Sequence, residues 1–136
     1  MKPDAKTRRT MLMIAAALLA AAAIWLILLE SKSYSRAVCR RINEFGYNVS
    51  PSDFYTQGYG VNTSIAEVVK EDLAVIIRQS RACGFSADVN KVGAVELMLC
   101  KLDDTRVLFV YLVDKEPELV FIEDTETKET FPLADK

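Results

Sequence analysis

The chain has 136 residues, 51% hydrophobic and 26% charged, with a formal net charge of −2, three cysteines and no histidine. That length holds one folded domain and not two. The missing histidine excludes Ser–His and Cys–His nucleophile pairs, imidazole metal sites and the commonest general base.

Residues 1–10 form a short basic tail, with Lys2, Lys6, Arg8 and Arg9 against Asp4 alone. Met11 to Leu29 then carry no charge, and the Trp25 indole is their only polar group. As a helix this stretch measures roughly 28 Å, close to the hydrocarbon thickness of a bilayer. It lacks the polar stripe that a helix in a small soluble domain needs, and it reads as a transmembrane helix. The basic tail before it and Glu30 after it predict a cytoplasmic N-terminus and an extracytoplasmic C-terminal domain, although Lys32, Arg36, Arg40 and Arg41 follow close behind. Bulky residues fill Ile24 to Leu29, where signal peptidase requires small ones, so the span reads as an uncleaved signal-anchor. Arg36-Ala37-Val38 before Cys39 does not make a lipoprotein site. Ala16 and Ala20 set small residues four apart, a spacing that lets two helices approach closely.

Nothing between Leu29 and Phe45 stops a helix, and Tyr34, Val38, Ile42 and Phe45 form one apolar stripe. The spacing predicts a juxtamembrane helix over 30–46, ended by Gly46. The extracytoplasmic domain is then expected over 47–136. Tyr47-Asn48-Val49 could form a short strand, and residues 50–64, rich in Ser, Pro, Gly, Asn and Thr, read mainly as loop. The next helix ends at Gly84, but its start is open. Either Ser64 and Glu67 form a capping box, or Val61 to Val69 is a strand and the helix begins near Lys70.

The remainder reads as strands. Val95 to Cys100 alternate, Asp103-Asp104 offers a turn, Val107 to Val113 is unbroken apolar sequence, and Leu119 to Ile122 and Thr130 to Leu133 follow. Val107 to Val113 does not alternate, so it is expected to be the central strand with both faces covered. The helix around Leu73 to Ile77 would cover one face. The segment Val38 to Phe45, or a second protein, would cover the other. The fold class is α+β: an N-terminal transmembrane helix, then a meander of three or four antiparallel strands packed by one or two helices.

From Glu30 onward 13 Lys and Arg face 18 Asp and Glu, a net of −5, which argues against nucleic acid as a partner. The carboxylates fall in turns and near the C-terminus, as solvated charge does. Asp103-Asp104 and Glu123-Asp124 are adjacent pairs without calcium-loop or catalytic spacing. Gly58-Tyr59-Gly60 lacks the strand–turn–helix setting of a phosphate loop, so no cofactor is expected. Cys39, Cys83 and Cys100 match no zinc or CxxC spacing. Cys83 and Cys100 could pair in an oxidising compartment, or all three could be buried thiols acting as small apolar residues.

Two families share features with this chain. A long apolar N-terminal helix leading into an antiparallel sheet resembles type IV pilins and pseudopilins. Those carry a Gly before the cleavage point and a Glu five residues into the mature helix, where this chain has Thr10 before the span and Ala15. Residues 36–124 resemble a family of small, single-pass, exported bacterial proteins with a domain of unknown function. The resemblance lies in Arg41-Ile42-Asn43-Glu44-Phe45-Gly46-Tyr47-Asn48-Val49, in Gln79 with Gly84-Phe85, and in Lys91-Val92-Gly93 ahead of paired apolar strands. It implies bacterial origin and export, and brings no activity with it.

The sequence therefore predicts a non-enzymatic, membrane-anchored module that binds a protein partner or a second copy of itself, with no small-molecule ligand. An accessory subunit acting through its transmembrane helix is the alternative, and a thiol-based redox protein a third reading.

Overall fold

A computed structural model of the chain describes residues 5–69 and 72–134. Lys2 and Asp4 of the basic tail, and Lys70, lie outside the described residues. The chain divides into two units, residues 1–35 and 36–136.

The first unit holds most of helix α1, which runs Ala5–Asn43 without a break. Its stretch Ala5–Leu26 has a mean hydropathy of 1.9 and no buried residue, and it is long and apolar enough to cross a membrane. The last turns of α1 belong to the second unit. They end through bonds from Phe45 N to Ile42 O and from Gly46 N to Asn43 O, with Gly46 at φ +97°.

The second unit is a five-stranded antiparallel sheet in the order β1-β2-β3-β4-β5. The strands are β1 (Phe54–Thr63), β2 (Gly93–Lys101), β3 (Arg106–Val113), β4 (Glu116–Asp124) and β5 (Thr130–Phe131). Between β1 and β2 lie a single helical turn, α2 (Ile65–Val68), and helix α3 (Leu73–Ala82). The α+β meander with packed helices is thus present, and its added fifth strand is β1. Residues 50–64, expected to be mainly loop, carry that strand. Gly, Thr and Asn suggested a loop, but an edge strand bonded on one side only tolerates their exposure.

Tyr47-Asn48-Val49 is not a strand. The Asn43 side chain takes the place of a strand partner: its Oδ1 accepts from Val49 N at 2.8 Å and its Nδ2 donates to Val49 O at 2.9 Å. Neither expected start of the second helix is met in full, because the helical segment is broken at Val69. Ser64 stands at the α2 N-cap without a side-chain cap bond, while Thr63 Oγ1 donates to Glu67 Oε2. Asp72 caps α3 instead, accepting from Ala74 N at 3.1 Å. Helix α3 closes in a Schellman pattern, with Phe85 N on Ser80 O, Gly84 N on Arg81 O, and Gly84 at φ +85°.

As expected, β3 is the central strand, and both of its faces are covered. Val95, Leu97, Tyr111, Val113, Leu119 and Phe121 form one face, packed with Ile65, Val69 and Ile76 from the α2–α3 segment. On the other face Met98, Cys100, Leu108, Val110, Leu112, Val120 and Ile122 are all buried. Val38, Cys39 and Ile42 of α1 are buried too, and the Cys39 thiol senses Cys100, so the end of α1 covers this second face.

Two features bind the sheet to its surroundings. Ser80, fully buried on α3, sits against β4 beyond the reach of β5. Its hydroxyl accepts from Val120 N at 3.0 Å, and faces Ile76 O at 2.7 Å and Val120 O at 3.1 Å as acceptors. It thereby bonds the edge of β4 as a neighbouring strand would. Glu118, one of the acids near the C-terminus read as solvated, is buried instead. It lies at the irregularity where Leu119 faces Tyr111 and Pro117 faces Leu112. Its carboxylate accepts from Ser86 Oγ at 2.5 Å and Asp88 N at 3.0 Å, tying the loop after α3 to β4.

Candidate functional site

The residues singled out in the sequence fall mostly into structural roles. Cys39, Cys83 and Cys100 are all free and all buried, with no bond between Cys83 and Cys100. Cys39 and Cys100 face one another's surroundings rather than solvent. Burial pushes both thiols above the ordinary value, and the Asp53 carboxylate adds to the rise at each. A thiol held protonated is a poor nucleophile.

Asp103 and Asp124 are turn acids. The Asp103 carboxylate accepts from Thr105 N and Arg106 N and pairs with Arg106 Nε at 2.7 Å, which holds it down at about 2. Asp124 accepts from Thr127 N and Glu126 N, and these bonds lower it as well. Among the described residues no group of three His, Cys, Asp or Glu could hold a metal ion. The surface depressions are shallow. One is lined by Tyr47, Asp53, Cys100 and Arg106, but Arg106 is already committed to Asp103. Among the described residues, none of these depressions gathers a nucleophile, a base and an oxyanion donor.

The exception is the edge formed by β1. Gly58-Tyr59-Gly60 lies within it, at a bulge where Gly58 faces Glu96 and Gly60 faces Val95, with Tyr59 between them. The segment Phe54 to Gly58 pairs regularly with Cys100 to Glu96, and its outer side pairs with no strand among the described residues. From Tyr55 to Asn62 every residue is exposed, and no residue of the whole strand is charged. Tyr55 is 67% exposed and Val61 83%.

The aromatic side chains of this edge continue into the core. The Tyr59 ring stacks on Tyr111 with centroids 6.5 Å apart, and Tyr111 on Phe121 at 6.3 Å. Phe121 stacks in turn on Phe109 at 5.1 Å. Tyr55 faces the half-buried Leu99 on β2. An exposed row of backbone donors and acceptors thus runs beside an apolar, aromatic shelf anchored on buried residues.

The two edges of the sheet are treated differently. At the far edge β5 is two residues long, and Ser80 occupies the backbone of β4 beyond it. Short strands, covering helices, charged side chains, proline and bulges are the ordinary means of blunting an edge, and the bulges of β1 all lie after Gly58. Over Phe54–Gly58, β1 has none of them. Reading the sequence as loop missed this edge, because the signal lay in what the strand lacks. No family model, curated protein or solved structure matches this chain.

Proposed function

We propose that this chain is a non-enzymatic binding module, held in the membrane by α1 as a single-pass signal-anchor with its N-terminus cytoplasmic and residues 36–136 extracytoplasmic, and that it binds protein through the open edge of β1. The carrying observation is that edge: an uncharged strand, exposed from Tyr55 to Asn62, flanked by Tyr55 and Tyr59. An open edge accepts another extended backbone, whose main-chain bonds supply affinity while alternate side chains supply selectivity. The apolar helix stretch supports the anchor, and Lys2, Lys6, Arg8 and Arg9, which precede its uncharged part Met11 to Leu29, support the orientation. The protonated, buried state of Cys39 and Cys100 weighs against the redox reading.

Two measurements test this. Val92 is 61% exposed and lies outside the strands. A Val92→Cys chain should react with a membrane-impermeant maleimide on intact cells, and reaction only after lysis would overturn the orientation. A photo-crosslinking amino acid at Tyr55 should give discrete protein adducts in the membrane that are absent when it is placed at Arg78, exposed on α3. Equal adduct patterns at both positions, or none at Tyr55, would overturn the binding edge.

A further inference from the structure

Resting on the binding edge just described, we infer that its occupant is a second copy of this chain, with two β1 strands joined antiparallel about Gln57.

The strand is suited to its own copy. An antiparallel pair centred on Gln57 sets each Tyr55 across from the other copy's Tyr59. Each Gln57 then meets its counterpart, and Thr56 meets Gly58. Tyr55 and Tyr59 border the same shelf, since Tyr55 faces Leu99 and Tyr59 stacks on Tyr111. The pairing therefore opposes aromatic with aromatic on one surface, the cross-strand arrangement that stabilises sheets. The two amides at the centre can each donate and accept, so neither is left unsatisfied.

Charge narrows the choice of partner. Residues from Glu30 onward carry a net of −5, and two such domains repel at a distance. The strip Phe54–Thr63 is free of charge, so a two-fold pairing brings no like charges into register along the joint. A basic partner segment, the obvious complement of an acidic domain, would find no carboxylate on this strand.

The bulge after Gly58 limits the regular joint to Thr56–Gly58 of each copy, with Tyr59 at its margin. A joint that short buries less than a free dimer in solution needs. Copies held in one membrane meet at a far higher effective concentration. Ala16 and Ala20 keep one side of the apolar helix small enough for two helices to approach. A two-fold contact is also self-limiting, because it uses up the edge that β1 leaves open among the described residues.

The test uses the full chain in two differently tagged forms, co-expressed and extracted in mild detergent or lipid nanodiscs. Wild-type copies should co-purify. Gln57→Lys in both forms should lower recovery at least tenfold, since two ammonium groups then face each other at the centre, while the exposed site leaves the fold intact by circular dichroism. Combining Gln57→Lys in one form with Gln57→Glu in the other should restore recovery. That rescue arises only when position 57 of one copy meets position 57 of another. Gln57→Cys should also give a self-linked dimer on mild oxidation, and Val92→Cys should not. Unchanged recovery with two lysines, or failure of the Lys–Glu mixture to restore it, overturns the proposal. If Tyr55 crosslinks to a different protein while the tagged copies never co-purify, the binding edge stands and the second copy falls. If neither occurs, both readings fall.

Discussion

Ser80 shows how much can rest on one hydroxyl. It is fully buried and meets both backbone groups of Val120, beyond the reach of β5. Ser80→Ala removes that partner while leaving Val120 buried, and stranding buried polar groups costs about 1–3 kcal/mol. Urea denaturation of the domain should register a loss in this range with an unchanged dependence on denaturant, and an unaltered midpoint would contradict the role. Asp103 makes a pH-dependent contribution instead. Its carboxyl is lowered to about 2 by the Arg106 guanidinium and by backbone bonds from Thr105 and Arg106. In an unfolded chain it titrates at about 3.9. The stabilisation is therefore present above about pH 4 and lost as pH falls towards about 2, because the unfolded state takes up the proton first. Asp103→Asn should flatten the acid limb of a stability–pH curve in that window and leave the neutral region little changed. Neither effect was legible beforehand. Asp103-Asp104 reads as a turn, but nothing in the sequence says that Arg106 folds back onto it, and Ser80 looks like any polar residue on a helix.

At the scale of elements, helices are decided by local signals and strands by their neighbours. Gly46 and Gly84 end α1 and α3 because a left-handed residue satisfies the last carbonyls at no steric cost. Gly84 has no other atom within 4 Å of where a methyl would sit, so only its φ of +85° opposes a side chain. Gly84→Ala should thus cost about 1 kcal/mol, the left-handed penalty, visible as a lower Tm without any change in packing. A loss several times larger would mean that the Schellman turn holds more than the helix end. The break between α2 and α3 was not foreseen, because one apolar periodicity spans Ile65 to Ile77 without announcing that Val69 turns away. β1 escaped for the opposite reason. Its composition is that of a loop, and only hydrogen bonding to β2 makes it a strand.

At the scale of the whole molecule, the core among the described residues lies within residues 36–136, and the thiols report on it. Cys39, Cys83 and Cys100 are all buried. None should react with a maleimide in the native protein, and all three should react together once denaturant crosses the unfolding midpoint. A thiol that reacts well below that midpoint would mark a region opening on its own. The same shielding means that topology must be probed with an introduced cysteine such as Val92→Cys.

The sequence by itself determined what depends on short range. An uninterrupted apolar stretch of bilayer length, helix ends at glycines and the turn at Asp103 follow from solvation and backbone sterics within a few residues. It also determined the centre of the sheet, since a strand apolar on both faces must be covered on both. Only the tertiary structure decided which edge is closed and which is open. Closure depends on Ser80 meeting Val120, 40 residues away, and the open edge on β1 finding β2 across the intervening α2–α3 segment. It also decided that Glu118 is buried. A carboxylate goes inside only where hydroxyl and amide donors converge on it, and the convergence of Ser86 and Asp88 on Glu118 is a property of the fold.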